Sequence, residues 1–587
     1  MRGVFVFPPS EGGLFENACY SVWGEGEVLH DPPVLGIQHY LQFPSERQPP
    51  TLVGGVEALD AWRVLGCYAP ASLVEAVISG FRFGRSIRYE GPRKGMFVMA
   101  NYSMTEIEMA FERERTAKDI QKGLLTVMGT MDDPLPFSAG ALQPRFVDGV
   151  EKLRIIVNPI AVNPGIKSRS RPVRYSSFAD AERALHVSGR NTIFIKFDIE
   201  SAYNVVPIAS FDLPLGLERD SLGSVLLKRT QQWGVVSAGY NWLEPASLLC
   251  LILFCHLLVL CIFYVDDYIL TVPGLLEGPD WNRVSVVLHR LVWLLRALGL
   301  RTKKWGIFSR GEFLGLGLDS VSMCIYLPVE KKTASILLIL SVASAPSTSS
   351  IRLRKFASLV GVLNWAASAC WVIRPLLKFM YNVMTIRLKT TGGDWRALVR
   401  VGAATKARLR LIGDLLETVK PGRCTREAVK AFSDACNYRG GFVVVDYGFA
   451  GFDFSKEVLL RASGVERVSI PILECFAMVV VVDTVLSSPY LREIAVREGL
   501  CIGIDSQSVV YAVLAGSSGS PVLNNLIYYL FSQCNAAGVR CELVFVRSNC
   551  NPADPISRFP QDRVLIHGSW LGPVNPFVAG ARSTVLQ

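Results

Sequence analysis

The sequence predicts a chain of several domains, α+β over its first part and α/β over its last. Three observations carry that expectation. Apolar strands that end in acidic residues, "TIFIKFDI" at 192–199 and "CIFYV" just before Asp266-Asp267, are separated by a helical stretch. "RVSVVLHRLVWLLRALGL" then places Val284, Val287, Leu288, Leu291, Leu294, Leu295 and Leu298 on one face of an amphipathic helix. Near the end, "AVKAFSDA", "GGFVVV", "PILECFAMVVVVDTV" and "CIGID" read as strand, strand, helix and strand.

The 587 residues suffice for about three or four domains. With 50% hydrophobic and 19% charged residues the chain forms cores and is not disordered. A net charge of +10 permits an anionic partner such as nucleic acid. Fourteen cysteines without a C-x-x-C pair argue against zinc ribbons and thioredoxin-like motifs, and for a reduced, intracellular protein. The start, "MRGVFVFPPSEGG", is too briefly apolar for a signal peptide.

Residues 1 to about 110 are rich in Gly and Pro, show no sustained periodicity and suggest no chemistry. A helical pattern follows from Thr116 to Met131, then a strand "KLRIIVN" at 152–158, then a helix at 178–187 that Gly189 stops. From Pro245 to Val265 the chain is uncharged over the ~20 residues that a spanning helix needs. Its β-branched, aromatic end runs straight into two aspartates and no second span is evident, so a buried helix followed by a buried strand is preferred to a membrane segment. Gly299 ends the amphipathic helix, and "EFLGLGLDS" and "MCIYLP" read as short paired strands. Residues 341–354 read as a loop leading into a basic helical segment from Arg352 to about Tyr381. A mixed connection covers 388–427, and Gly440-Gly441 reads as a turn between two strands.

Two adjacent carboxylates inside an apolar run need compensation, because burying an ionised carboxylate is costly. Paired divalent cations would compensate both. The pattern D-x-x-x-A-Y-x-x-x-P from Asp198 to Pro207, followed by Y-V-D-D at 264–267, resembles motifs A and C of reverse transcriptases. That resemblance implies a polymerase right hand of fingers, palm and thumb. It makes Asp198 and Asp266 the magnesium ligands and Asp267 their supporting carboxylate. It also makes Tyr203 the wall that excludes a ribose 2′-hydroxyl. "EKLRIIVNPIAVN" is similar to the fingers strand that grips a triphosphate, with Arg154 matching by position and Lys152 second; Asn158 stands where the family has Asp. "QQWGVVSAGYNW" resembles motif B, in which Gly234 lets backbone approach the template; Gly239 replaces the usual proline. Lys303 or Lys304, with Lys304 preferred, lies where the family places a lysine near the leaving pyrophosphate, and "EFLGLGLDS" is similar to the primer-grip hairpin. Gly361, Asn364 and Trp365 resemble thumb residues, with Arg352, Arg354, Lys355, Arg374 and Lys378 available to phosphates.

Asp434, Glu474, Asp505 and Asp554 follow in the order strand, helix, strand, helix, which resembles the four-carboxylate site of an RNase H-like α/β domain. The family holds two magnesium ions there as well, and manganese is an alternative at either site. "NPADPISR" at 551–558 and "RPVRYSSFADAERAL" are similar to DIRS-like tyrosine-recombinase retroelements, with trypanosomatid VIPER-type elements a closer candidate. The implied layout is an N-terminal region of unknown role (1–110), fingers and palm (111–326), thumb (327–387), connection (388–427), RNase H-like domain (428–560) and tail (561–587). RNA and DNA template-primers and dNTPs are the implied partners. No D-T-G or D-S-G protease signature and no integrase or recombinase residue set is seen, so a separate recombinase or integrase and Gag-like proteins are expected. A catalytically inactive nucleic-acid-binding remnant and a cellular or viral reverse transcriptase of another group remain the alternatives.

Overall fold

The computed structural model describes residues 55–91, 104–129, 143–147, 150–154, 159, 162–167, 175–346, 350–419, 422–423, 428–463 and 469–558. The chain divides into two compact units, residues 1–184 with 191–308, and residues 185–190 with 309–587.

The first unit is organised by a four-stranded antiparallel sheet. Its strands are β1 (Ile193–Ile199), β2 (Leu260–Tyr264), β3 (Asp267–Val272) and β4 (Thr302–Phe308), in the order β2-β3-β1-β4. Helices α1 (Ala238–Leu257) and α2 (Trp281–Ala297) contribute Trp242, Leu249, Leu291 and Leu294 to the core with Ile195 and Leu270 of the sheet. The run that could have spanned a membrane is thus a core helix followed by an edge strand, which is only partly buried and so corrects the expectation of a buried one. Two further helices, Gly55–Leu65 and Ala71–Phe83, join the same core through Trp62 and Phe81. The indole N–H of Trp62 donates to the Leu298 carbonyl at 3.1 Å. These helices correct the view of residues 1–110 as lacking periodic structure: their apolar positions are spread over short segments that Gly and Pro interrupt.

The expected helix at 116–131 lies earlier. It spans Glu106–Gln121, set by a capping box between Thr105 and Glu108, and Gly123 in the left-handed region turns the chain into a strand, Leu125–Gly129. A hairpin pairs Gln143–Val147 with Val150–Arg154.

In the second unit, strands Arg310–Phe313, Leu316–Asp319 and Cys324–Tyr326 form an antiparallel meander. The sequence reading missed helix Val329–Ala343, whose end occupies the start of the expected loop at 341–354. Its buried residues are few, Ser335, Ile339, Val342 and Ala343, so its apolar stripe is faint. The expected continuous helix from Arg352 is two, Leu353–Ala366 and Arg374–Thr390, separated by a short 3-10 turn.

The last part of this unit is a mixed five-stranded sheet. Strands β5 (Val429–Ala435), β6 (Arg439–Val444), β7 (Gly448–Asp453), β8 (Leu500–Ile504) and β9 (Cys541–Phe545) lie in the order β7-β6-β5-β8-β9. β8 runs parallel to both β5 and β9, and the other pairs are antiparallel. Helix α3 (Ile470–Ser487) is apolar on all sides and buried, as such a helix must be in a core. Gly440 and Gly441 are not in a turn; the chain turns at 436–438 and both glycines lie inside β6. Close approach explains them, since a Cβ at Gly441 would stand 2.6 Å from the Ser557 nitrogen, and one at Gly440 would enter the Phe452 ring.

Two helices among the described residues, α1 and α3, are long and apolar enough to cross a membrane, which corrects the expectation of one such stretch. Half of the apolar window in α1 and 67% of that in α3 is buried inside the protein. No disulfide joins the described cysteines.

Candidate active sites

The first site is built on the β2–β3 hairpin and its neighbours β1 and β4. Tyr264 pairs with Asp267, so Val265 and Asp266 form a two-residue loop. Such loops need positive φ at their first central position. Val265 supplies it at φ 58°, an unfavourable conformation for a β-branched residue. The buried indole N–H of Trp242 holds it there, donating to the Val265 carbonyl at 2.6 Å. Asp266 thereby sits at the hairpin tip, where its carbonyl accepts from Ile199 N–H at 2.8 Å.

Asp198 on β1 stands directly opposite Asp267 on β3, which places both on one side of the sheet. Asp198 is only 1% exposed. Its Oδ2 accepts from Lys304 Nζ at 2.6 Å, and Lys303 Nζ is 4.0 Å from the same oxygen. Consecutive strand residues ordinarily face opposite ways. Here β4 carries one extra residue against β1 between Lys196 and Asp198, with Lys304 at φ 53°, and this bulge turns both amines toward one carboxylate. The sequence left these two lysines as alternatives; the structure brings both to Asp198. Lys196, two residues before Asp198 and hence on its face, reaches Asp267 at 3.7 Å. The period-two rule could have found it.

Burial, with the negative charges of Asp198 and Asp267, pushes the Asp266 carboxyl up to about 6. Asp198 Oδ1 is buried without a hydrogen-bond partner. Converging carboxylates, one with an orphaned oxygen and one reluctant to ionise, fit a hard divalent cation, which takes oxygen ligands and would relieve both conditions.

Tyr203 lies in a 3-10 turn after β1 and is 7% exposed, its ring 4.5 Å from that of Trp233, which is 57% exposed. Gly234 adopts φ 94°, a conformation suited to glycine. Asn163 clamps this loop, donating to the Gly234 carbonyl at 2.9 Å and accepting from Val236 N–H at 3.1 Å. Sequence reasoning missed Trp233 and Asn163. Lys152 and Arg154 fall on the Val150–Arg154 strand, but their side chains, and Asn158, lie outside the described residues.

The second site gathers Asp434 from the end of β5, Glu474 from the first turns of α3 and Asp505 just past β8. One carboxylate oxygen from each lies within 4.8 Å of the others. Burial is the main cause that pushes Asp434 up to about 7 and Glu474 up to about 9, and neighbouring carboxylates add to both. Glu474 Oε2 and Asp505 Oδ1 are buried and have no hydrogen-bond partner. Here too the donor set fits a hard cation.

Asp554 is not one of the three mutually close ligands. Its carboxylate pairs with Arg558 at 2.7 Å, though its charge is felt by Asp434 and Glu474. It begins the short helix α4 (Asp554–Arg558), which lies against Gly441 and Gly451. From that helix the Ser557 hydroxyl donates to Asp434 Oδ2. Asn551 donates to the Ser433 carbonyl at 3.0 Å and accepts from Ala553 N–H at 3.1 Å, which anchors the approach to α4. The roles of Ser557 and Asn551 had no signal beyond the short string that contains them.

No protein-family model matches the chain, and no curated protein matches it. Among solved structures the chain is similar to a foamy viral protease-reverse transcriptase dRH in complex with double-stranded DNA, at 12% identity and TM-score 0.44, covering 83% of this chain and 81% of that one. It is also similar to a foamy viral protease-reverse transcriptase with an RNA/DNA hybrid, at 11% identity and TM-score 0.43, covering 88% of this chain and 65% of that one. A double-stranded DNA complex of the foamy viral protein matches at 13% identity and TM-score 0.43, covering 83% of this chain and 97% of that one.

Proposed function

We propose that this chain is a retroelement reverse transcriptase with RNase H activity, which copies RNA into DNA and degrades the RNA of the resulting hybrid. The observation that carries the reading is the hairpin that presents Asp266 at its tip beside buried Asp198, with Asp267 opposite and two lysine amines turned toward them. Two magnesium ions at each site would be held by Asp198 and Asp266 in the first and by Asp434, Glu474 and Asp505, with Asp554 nearby, in the second. When bound, magnesium supplies the charge neutralisation and Lewis acidity that displacement at phosphorus requires.

The chain's own residues do the rest. Lys303 and Lys304 offset the Asp198 charge and are placed to meet a triphosphate. Tyr203 excludes a 2′-hydroxyl, and the Gly234 loop admits close backbone approach. In the second site Ser557 fixes the orientation of Asp434. The domain limits follow the resemblance: fingers and palm at 111–326, thumb at 327–387, connection at 388–427 and an RNase H-like domain at 428–560. A DIRS-like, intracellular element is the finer assignment, with template-primer and dNTPs as partners and integration left to a separate recombinase.

Template-directed dNTP incorporation by the purified chain tests the first site. Asp266→Asn should abolish it on RNA and DNA templates alike; undiminished synthesis by that variant, or none by the unaltered chain, would sink the polymerase assignment. Asp434→Asn should stop cleavage of an RNA/DNA hybrid while synthesis continues. Equal cleavage by both proteins would remove the second site.

A further inference from the structure

Tyr175 lies outside the catalytic motifs, yet several parts of the first site meet on its side chain. Its hydroxyl donates to the Gly239 carbonyl at 2.9 Å, at the start of α1. Its ring packs against Phe263 and Tyr264, centroids 6.0 and 5.7 Å away, on the strand that leads into the Val265-Asp266 turn. The next residue, Ser176, donates its backbone N–H to the Phe263 carbonyl at 3.2 Å. The Tyr203 hydroxyl lies at the same corner of the site, beside Gly239. Gly239 makes room for this arrangement, because a Cβ there would stand 3.1 Å from the Tyr175 oxygen and 3.9 Å from the Tyr203 oxygen. Burial pushes the Tyr175 phenol upward, so it remains a protonated donor at neutral pH.

A side chain that selects a sugar by bulk must be held in place, since a shift of about 1 Å at a reacting centre is enough to change rates severely. Tyr203 rests on one side against Trp233, which is itself largely exposed. Tyr175 stands near the hydroxyl end of Tyr203, on the other side of Gly239. We infer that Tyr175 is a positioning residue for sugar discrimination: the corner formed by Gly239 and Tyr175 holds the Tyr203 ring, so that the preference for deoxyribonucleotides depends on the 175/239 pair as well as on Tyr203. This rests on the polymerase reading above.

The test is single-nucleotide incorporation by the full chain with magnesium, comparing kcat/KM for dGTP and GTP opposite cytosine. Tyr175→Phe keeps the ring and removes the hydroxyl. It should raise relative use of GTP about tenfold, mainly through a lower KM for GTP. General weakening of the fold lowers both values together and leaves their ratio unmoved. A wild-type ratio in the variant, or joint loss of both activities, would therefore overturn the inference while the polymerase reading survives. A wild-type chain that incorporates neither nucleotide would overturn both.

Discussion

Asp198 is almost wholly buried, and its two oxygens have different fates: one is held by Lys304, the other has no hydrogen-bond partner. A buried carboxylate with one oxygen paired and one open can accept a cation without first breaking its own network. Lys304→Ala would remove the hydrogen-bonded partner and leave Lys303 at 4.0 Å. Lys304 is 70% exposed, so solvent screening discounts the pair to about 1–2 kcal/mol, which corresponds to a rate loss of roughly 5- to 30-fold. Single-turnover dNTP incorporation measures it, and a loss below threefold would show that Lys303 takes over. Ser557 plays a comparable part at Asp434, where its hydrogen bond opposes the upward push of burial.

The β2–β3 hairpin shows how an element stores an unfavourable conformation where it is useful. Val265 is left-handed, and the Trp242 indole, buried in α1, holds the carbonyl at the turn. Trp242→Phe would preserve most of the ring packing and leave that carbonyl unpaired in the core. The expected destabilisation is about 1–3 kcal/mol, with a fall in synthesis at temperatures well below unfolding. Denaturant melting paired with an incorporation assay checks both, and an unchanged midpoint would mean that the turn holds itself. The bulge in β4 is the companion device, because a regular strand could present only one of Lys303 and Lys304 to Asp198.

Across the whole molecule, two carboxylate centres sit in two separate compact units, and each is electrostatically uncomfortable without cations. Asp434 and Glu474 have folded-state values raised to about 7 and about 9, above their ordinary ones. A raised value means that the folded state binds protons more tightly than the unfolded state. Their contribution to stability is then complete below the ordinary carboxylate range and is lost as pH rises through about 7 and about 9. Metal-free protein should therefore lose thermal stability between about pH 5 and pH 9, and magnesium should restore most at the alkaline end. Glu474→Gln should flatten the decline and stabilise the metal-free protein by about 1–2 kcal/mol at alkaline pH. Calorimetry with and without magnesium decides it; a metal-free stability that rises over that range would contradict the electrostatic picture.

The chemistry was written in one dimension wherever a costly residue interrupts an apolar run. Asp198, Asp266 and Glu474 stand out because an ionised group in a core segment demands a compensating partner. Strand and helix periodicity likewise placed β1, β2, α2 and α3 near their observed positions. Glycine was ambiguous, since a turn and a close approach ask for the same residue, and Gly440-Gly441 serves the second need. Tyr175, Trp242 and Ser557 became functional candidates only through the folded chain, and only the fold turned the alternative lysines Lys303 and Lys304 into a pair at Asp198. Their partners lie far off in sequence or depend on a single bulge, and neither composition nor spacing encodes which side chains long-range packing will bring face to face.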